Sequence, residues 1–226
     1  MMFTRYEPAD TANPQHPTWD RILGHCGRGL DDLLSTGGLE SYGIMSGQDY
    51  LTSWIASMLR EPETPLPYLF FFGNQNCGKS MFRWAVSYLF FDGCIAADHL
   101  FFGKIGWNRE LKGAIFCYLE ELGLIVEDTA ERLRMYVTAP VIPLRALGEA
   151  SQEIPNLTHW CQMSNQREDL PFLGKFPTTV IQVGDLEDEI PMRTLLKALK
   201  KEAPQFMTTV MNFQLPLSLP ALDTEG

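Results

Sequence analysis

The chain of 226 residues has no run of 18 or more apolar residues, so nothing in it reads as a membrane-spanning helix. Its opening, MMFTRYEPADTANPQHP, lacks the apolar stretch of a secretory signal, which makes a cytoplasmic location the expectation. Cysteine is sparse: Cys26, Cys77, Cys94, Cys117 and Cys161 are odd in number, scattered, and never spaced CxxC. A disulfide framework or a zinc site needs closer spacing, so reduced thiols are expected. His25, His99 and His159 stand apart from one another with no spacing for a metal, and read as surface or core residues. Basic charge is short as well, with 18 Lys and Arg against 28 Asp and Glu and a net charge of −10. That balance weighs against a protein that coats nucleic acid non-specifically, but leaves room for a few basic residues gathered round one channel. No internal repeat is present, and no N-K-x-D for reading guanine.

What remains is an ordinary globular composition, 45% hydrophobic and 20% charged. Residues 1–17 are polar and proline-bearing and are expected to be a flexible leader. Residues 18–66 read as an N-terminal helical segment. In GQDYLTSWIASMLR, Tyr50, Leu51, Trp54, Ile55, Met58 and Leu59 recur at helical spacing, an apolar face suited to core packing. The connector EPETPLP leads into residues 67–216, where helical and strand-like blocks alternate. Tyr68–Phe72 predicts a strand, SMFRWAVSYLFF a helix, and NRELKGAIFCYLEE a short helix running into a buried strand. RLRMYVTAP, HWCQMSN and TTVIQV predict further strands, and the segment from Met192 a helix broken at Pro204. Such alternation predicts an α/β fold with a mostly parallel sheet flanked by helices. Residues 217–226 are expected to be a flexible tail.

Gly73-Asn74-Gln75-Asn76-Cys77-Gly78-Lys79-Ser80 matches G-x-x-x-x-G-K-[ST], the phosphate-binding P-loop (Walker A), without a mismatch. Glycines let successive backbone N–H groups turn inward on phosphate oxygens, and the following helix offers its positive end to the same anion. In that setting Lys79 reaches the β- and γ-phosphates of ATP, and the Ser80 hydroxyl holds Mg²⁺. The strand before and the helix after supply the context the motif requires.

A P-loop needs an acidic partner at the end of a neighbouring strand. The apolar run Ala114–Leu119 ends in Glu120-Glu121. Glu120 is the expected Mg²⁺ contact and Glu121 the general base that polarises the attacking water. A polar residue at the tip of the strand between loop and acidic pair is expected to read the γ-phosphate, and Ser164-Asn165 offers it, with the Asn165 amide as donor.

These three blocks, in this order, resemble the superfamily 3 helicases of viruses, phages and plasmids, and most nearly the helicase-type ATPase domain of phage and plasmid primase-helicases and primase-polymerases. GNQNCGKS looks like their Walker A, WNRELKGAIFCYLEE their Walker B segment, and MSN their motif C. The stretch from Arg132 to Trp160 resembles their DNA-contacting hairpin. The resemblance implies an AAA+-like P-loop NTPase fold, a homohexameric ring sharing ATP between subunits, and single-stranded or forked DNA in its pore. It places Arg145 where relatives set a DNA-contacting basic residue, usually lysine. Two departures stand out. Where relatives carry a finger arginine after motif C, this chain has LGKFPTTVIQV with Lys175, leaving Arg167 and Arg193 as alternatives. Relatives also carry a primase module upstream, so priming here calls for a separate primase. The leading reading is an ATP-dependent DNA helicase or translocase component of phage, prophage or plasmid replication. The alternative is an ATP-binding assembly or loader domain with weak or no hydrolysis. A P-loop kinase or GTPase ranks below both, since no acceptor site stands out.

Overall fold

The apolar run Tyr68–Phe72 forms β1 and is buried along its whole length, as a parallel strand covered on both faces must be. In this computed structural model, which describes residues 4–35, 38–101, 107–120, 127–145, 148, 150–170 and 176–223 (127–129 as backbone alone), β1 sits inside a five-stranded sheet. The other strands are β2 (Cys94–Ala96), β3 (Phe116–Leu119), β6 (His159–Ser164) and β7 (Thr178–Gln182), in the order β2-β3-β6-β1-β7. Every pairing in it is parallel. A separate antiparallel hairpin joins β4 (Val141–Leu144) to β5 (Gln152–Pro155).

Strand periodicity divides the core in two. Leu69, Phe71, Cys161, Met163 and Ile181 face one cluster, shared with four helices: α1 (Pro17–Gly27), α3 (Gly47–Arg60), α4 (Ser80–Tyr88) and α6 (Met192–Asn212). Tyr68, Phe70, Phe72, Trp160 and Val180 face the other, covered by α5 (Glu127–Thr138) and the hairpin. The chain is therefore α/β, a mostly parallel sheet flanked by helices, as the alternation of blocks implied.

The N-terminal helices share the core of the sheet. Trp54 of α3 packs edge-on against Phe82, Phe116 and His159 with centroids 6.0–6.3 Å apart, and its indole donates to Pro67 O at 2.9 Å. A capping box between Ser46 and Asp49 starts α3. The short α2 (Asp31–Leu34) follows α1 through one 3₁₀ turn. Helices α1 and α3 approach so closely that a Cβ on Gly47 would lie 1.8 Å from Gly27 O; only hydrogen fits there.

Two strand and helix expectations need correction. RLRMYVTAP is not a strand: residues 127–138 are helix α5. Ala130, Leu133 and Tyr136 are buried at a three-residue spacing, so the period is helical. Pro204 does not break its helix either, since α6 runs unbroken through it. A proline inside a helix costs about 3 kcal/mol, and packing offsets it here. Phe206, two residues on, stacks on Trp19 at 4.1 Å, while the Trp19 indole donates to Leu199 O. Strands β2, β4 and β5 had no individual sequence prediction. Both ends of the chain also make contacts that composition did not suggest. Arg5 N donates to Leu89 O and Ala9 N to Pro204 O, while Val180 N takes Leu222 O as acceptor. Among the described residues no helix is long and apolar enough to cross a membrane.

Candidate functional site

The strand order sets the site. β6 lies between β1 and β3, so the tips of the P-loop strand, the Asn165 strand and the Glu120 strand stand side by side. Register aligns them: Phe72 pairs with Ser164, and Leu119 with Gln162. Asn165 thus emerges level with Gly73, and Glu120 leaves the sheet one residue past the Leu119–Gln162 pair.

Between β1 and α4 the loop turns on left-handed residues, Asn76 at φ 65° and Gly78 at φ 90°. Asparagine tolerates that region. At Gly78 a Cβ would also meet Met81 Cε at 2.8 Å. Cys77 N donates back to Asn74 O, but the amides of Gly78, Lys79 and Ser80 have no acceptor among the described residues. Unpaired amides at the positive end of a nine-residue helix can receive an anion.

Lys79 is buried, 8% exposed, and its ammonium spends its three donors on Gly73 O (3.2 Å), Asn74 O (3.0 Å) and Asn165 Oδ1 (2.9 Å). The structure therefore brings Lys79 and Asn165 together. Glu120 faces the first turn of α4, where Arg83 donates to its Oε1 through Nη2 (2.6 Å) and Nε (3.1 Å). Its backbone N–H is fixed by Asp98 Oδ1 at 3.0 Å. Glu121 and Lys175 lie outside the described residues. Ser80 Oγ and Glu120 Oε2 have no hydrogen-bond partner among the described residues. Both are hard oxygen donors, a set that suits Mg²⁺.

Several contributors went unnoticed in the sequence. His25 of α1 donates through Nε2 to Cys77 O at 2.7 Å, and the Cys26 thiol points at Gly78 O at 3.8 Å. Burial pushes that thiol up to about 12, so it stays protonated. Helix α1 thus buttresses the loop, with the half-buried His25 as the contact. Arg83 was likewise missed. On the other side of the loop, Asn74 Nδ2 donates to Asp185 Oδ1.

A cavity of about 290 Å³ opens beside Gly78–Ser80, walled by Ile22, Met81, Trp84, Leu186, Ile190 and Leu195. Arg21 at its mouth is held by Asp188 O at 3.0 Å.

Of the finger alternatives, Arg167 is engaged by Asp223 through two bonds of 2.9 and 2.7 Å, while Arg193 is exposed at the start of α6. Arg145 lies just past β4, far along the chain from the loop. Its backbone N–H donates to Asn108 Oδ1 and its carbonyl accepts from Asn108 N, which pins the start of the hairpin's connecting loop.

A family model described as a family of unknown function, DUF5906, matches residues 71–179, from within β1 into β7. No curated protein matches the chain. Among solved structures, the apo C-terminal region of NrS-1 superposes with a TM-score of 0.66 at 16% identity, over 94% of this chain and 49% of that one. A second apo crystal form of the same region gives 0.66 at 15%. This chain spans about half the length of that region. A JCV helicase bound to a small molecule aligns at a TM-score of only 0.35 and 14% identity, over 87% of this chain and 60% of that one, too slight to bear on the fold. The NrS-1 likeness is one of fold.

Proposed function

We propose that this chain is the ATP-hydrolysing part of a DNA helicase or translocase that serves replication of a phage, prophage or plasmid. The observation that carries the reading is the convergence at one end of the sheet: Lys79 bonded to Asn165 on the adjacent strand, with Glu120 on the strand beyond, all beside the unpaired amides that open α4. In this reading Lys79 exchanges its loop carbonyls for the β- and γ-phosphates, and Asn165 turns its amide donor to the γ-phosphate. Ser80 and Glu120 hold Mg²⁺, which neutralises charge on the phosphates. Glu121 polarises the lytic water. The apolar cavity against Met81 and Ile190 receives the base. Arg145 contacts DNA phosphate from the hairpin, and copies of the chain assemble as a ring.

A second reading, an ATP-binding assembly or loader domain with weak hydrolysis, is favoured by one observation: Arg167, two residues after Asn165, is occupied by Asp223 and is not available as a finger in this arrangement. Without a finger, rates fall by about 10³–10⁵. ATPase assays of the wild type and Lys79→Ala, with and without single-stranded DNA, and mass measurement with and without ATP test both. DNA-stimulated turnover lost in Lys79→Ala supports the motor. ATP-dependent assembly without turnover supports the loader. Equal turnover in the two proteins removes the site.

A further inference from the structure

We propose that Arg83 is a latch on the Glu120 carboxylate that competes with a divalent cation for it, so that this arginine sets how tightly the site takes Mg²⁺. The inference rests on the nucleotide-site reading above and adds a positioning residue to it.

Arg83 sits one helical turn after Ser80, on the side of α4 that faces the tip of β3. Both Nε and Nη2 donate to a single oxygen, Glu120 Oε1. The arginine is mostly withdrawn from water, its side chain 15% exposed, while the glutamate keeps 32% of its side chain exposed. Its guanidinium carbon lies 4.6 Å from the Tyr118 ring centroid and 5.2 Å from that of Trp84. Tyr118, the last residue but one of β3, lies on the face of the sheet that α4 packs against. Arginine is therefore held by one ring from its own helix and one from the strand it reaches, while Asp98 holds the Glu120 backbone. This is a built contact, in contrast to two long side chains meeting in solvent.

A carboxylate so engaged has one of its two oxygens already held by a cation. A dication binding to Glu120 must either share it with a guanidinium, at the cost of repulsion between like charges, or displace the arginine from Oε1. Mg²⁺ binds such sites through one or two carboxylates together with substrate phosphates. The phosphates thus supply what Arg83 withholds, and the cation arrives with the nucleotide. Freed of Oε1, Arg83 keeps its two aromatic faces and stays within reach to close again after the cation leaves.

The test is Mn²⁺ titration by electron paramagnetic resonance, in protein saturated with a non-hydrolysable ATP analogue. The proteins are wild type, Arg83→Gln, Arg83→Lys and Glu120→Gln, with Lys79→Ala as the control for analogue binding. Arg83→Gln is expected to bind Mn²⁺ at least about fivefold more tightly than wild type, since it removes a competing charge. Arg83→Lys, which keeps the charge but loses the fork, is expected to fall between them. Glu120→Gln is expected to bind more weakly than all three. A purely structural arginine predicts the reverse order, because losing it would disorder Glu120 and weaken the cation site. Unchanged or weaker Mn²⁺ binding in Arg83→Gln, with analogue binding retained and lost in Lys79→Ala, overturns the latch alone. A wild type that binds no analogue overturns the nucleotide reading and the latch with it.

Discussion

Lys79 Nζ lies 2.9 Å from Asn165 Oδ1, joining the loop after β1 to the tip of the neighbouring strand. A buried ammonium needs its donors satisfied, and here two loop carbonyls and one side-chain amide do so. Removing the amide leaves two acceptors. Asn165→Ala is therefore expected to keep nucleotide affinity within about threefold while turnover drops by about 10²-fold, the size of effect seen when one aligned donor is lost. Asn165→Asp sets a carboxylate between the lysine and the incoming phosphate, and is expected to weaken analogue binding by about tenfold or more. Fluorescence titration and steady-state turnover separate the two. Equal losses of affinity in both variants would sink the assigned role.

His25 places α1 in direct contact with the loop between β1 and α4 through Cys77 O. His25→Ala leaves a buried carbonyl without its donor, a cost of about 1–3 kcal/mol. Part of that loss should appear as a lower melting temperature. Part should appear as weaker nucleotide binding, because the loop is no longer held in its preorganised turn. A variant that melts lower yet binds nucleotide as the wild type does would show that α1 supports the fold alone.

The strand Tyr68–Phe72 and the helix from Ser80 were legible because each is local: an apolar run and a helical stripe. The apolar runs at Phe116–Leu119 and His159–Ser164 were likewise visible as strands. The roles of His25 and Arg83 were not. Neither carries a motif, and their significance comes from pairings 52 and 37 residues away in the chain, which only the tertiary fold creates. The α5 error has a different origin. Leu133, Met135 and Val137 alternate with polar residues over a short span and mimic a strand, but Ala130, Leu133 and Tyr136 carry the burial. At Pro204 local propensity was read correctly and overridden by packing against Trp19 and the leader.

Gly47 and Gly27 allow α1 to lie directly on α3. A methyl group at Gly47 would sit 1.8 Å from Gly27 O, against backbone that cannot rotate away. Gly47→Ala is expected to force the helices apart and cost about 3 kcal/mol. Because α1 carries His25, the displacement should also weaken nucleotide binding. Thermal melting and analogue titration check both; a melting temperature within a degree of wild type would contradict the packing.

Asn108 fixes Arg145 through both its backbone N–H and its carbonyl, so the DNA contact proposed at the loop end of the hairpin has a rigid mount. Arg145→Ala is expected to weaken single-stranded DNA binding evenly across sequences and lower the salt dependence by about one phosphate contact. Asn108→Ala is expected to weaken DNA binding with no change in that slope, since the charge remains. An Arg145→Ala protein whose slope matches wild type would remove the residue from the interface.

His159, at the start of β6, is buried at 4% exposure under Trp54 and donates to Pro62 O at 3.2 Å. Burial pushes its pKa down from 6.5 to about 4, with the Pro62 carbonyl offsetting part of the shift. The unfolded chain takes up a proton as pH falls through about 6.5, while the folded protein refuses it until about 4. Protonation therefore favours unfolding throughout that window: stability from this residue is complete above pH 6.5, declines below it, and levels off near pH 4. The full effect is about 3 kcal/mol. His159→Gln keeps an N–H for Pro62 and does not titrate. Urea midpoints at pH 7, 5.5 and 4.5 should show the wild type losing ground relative to this variant as pH drops, whatever the carboxylates contribute to both. Parallel pH profiles would mean that His159 accepts its proton in the folded state, and that the strand carrying Asn165 is less tightly sealed than its burial indicates.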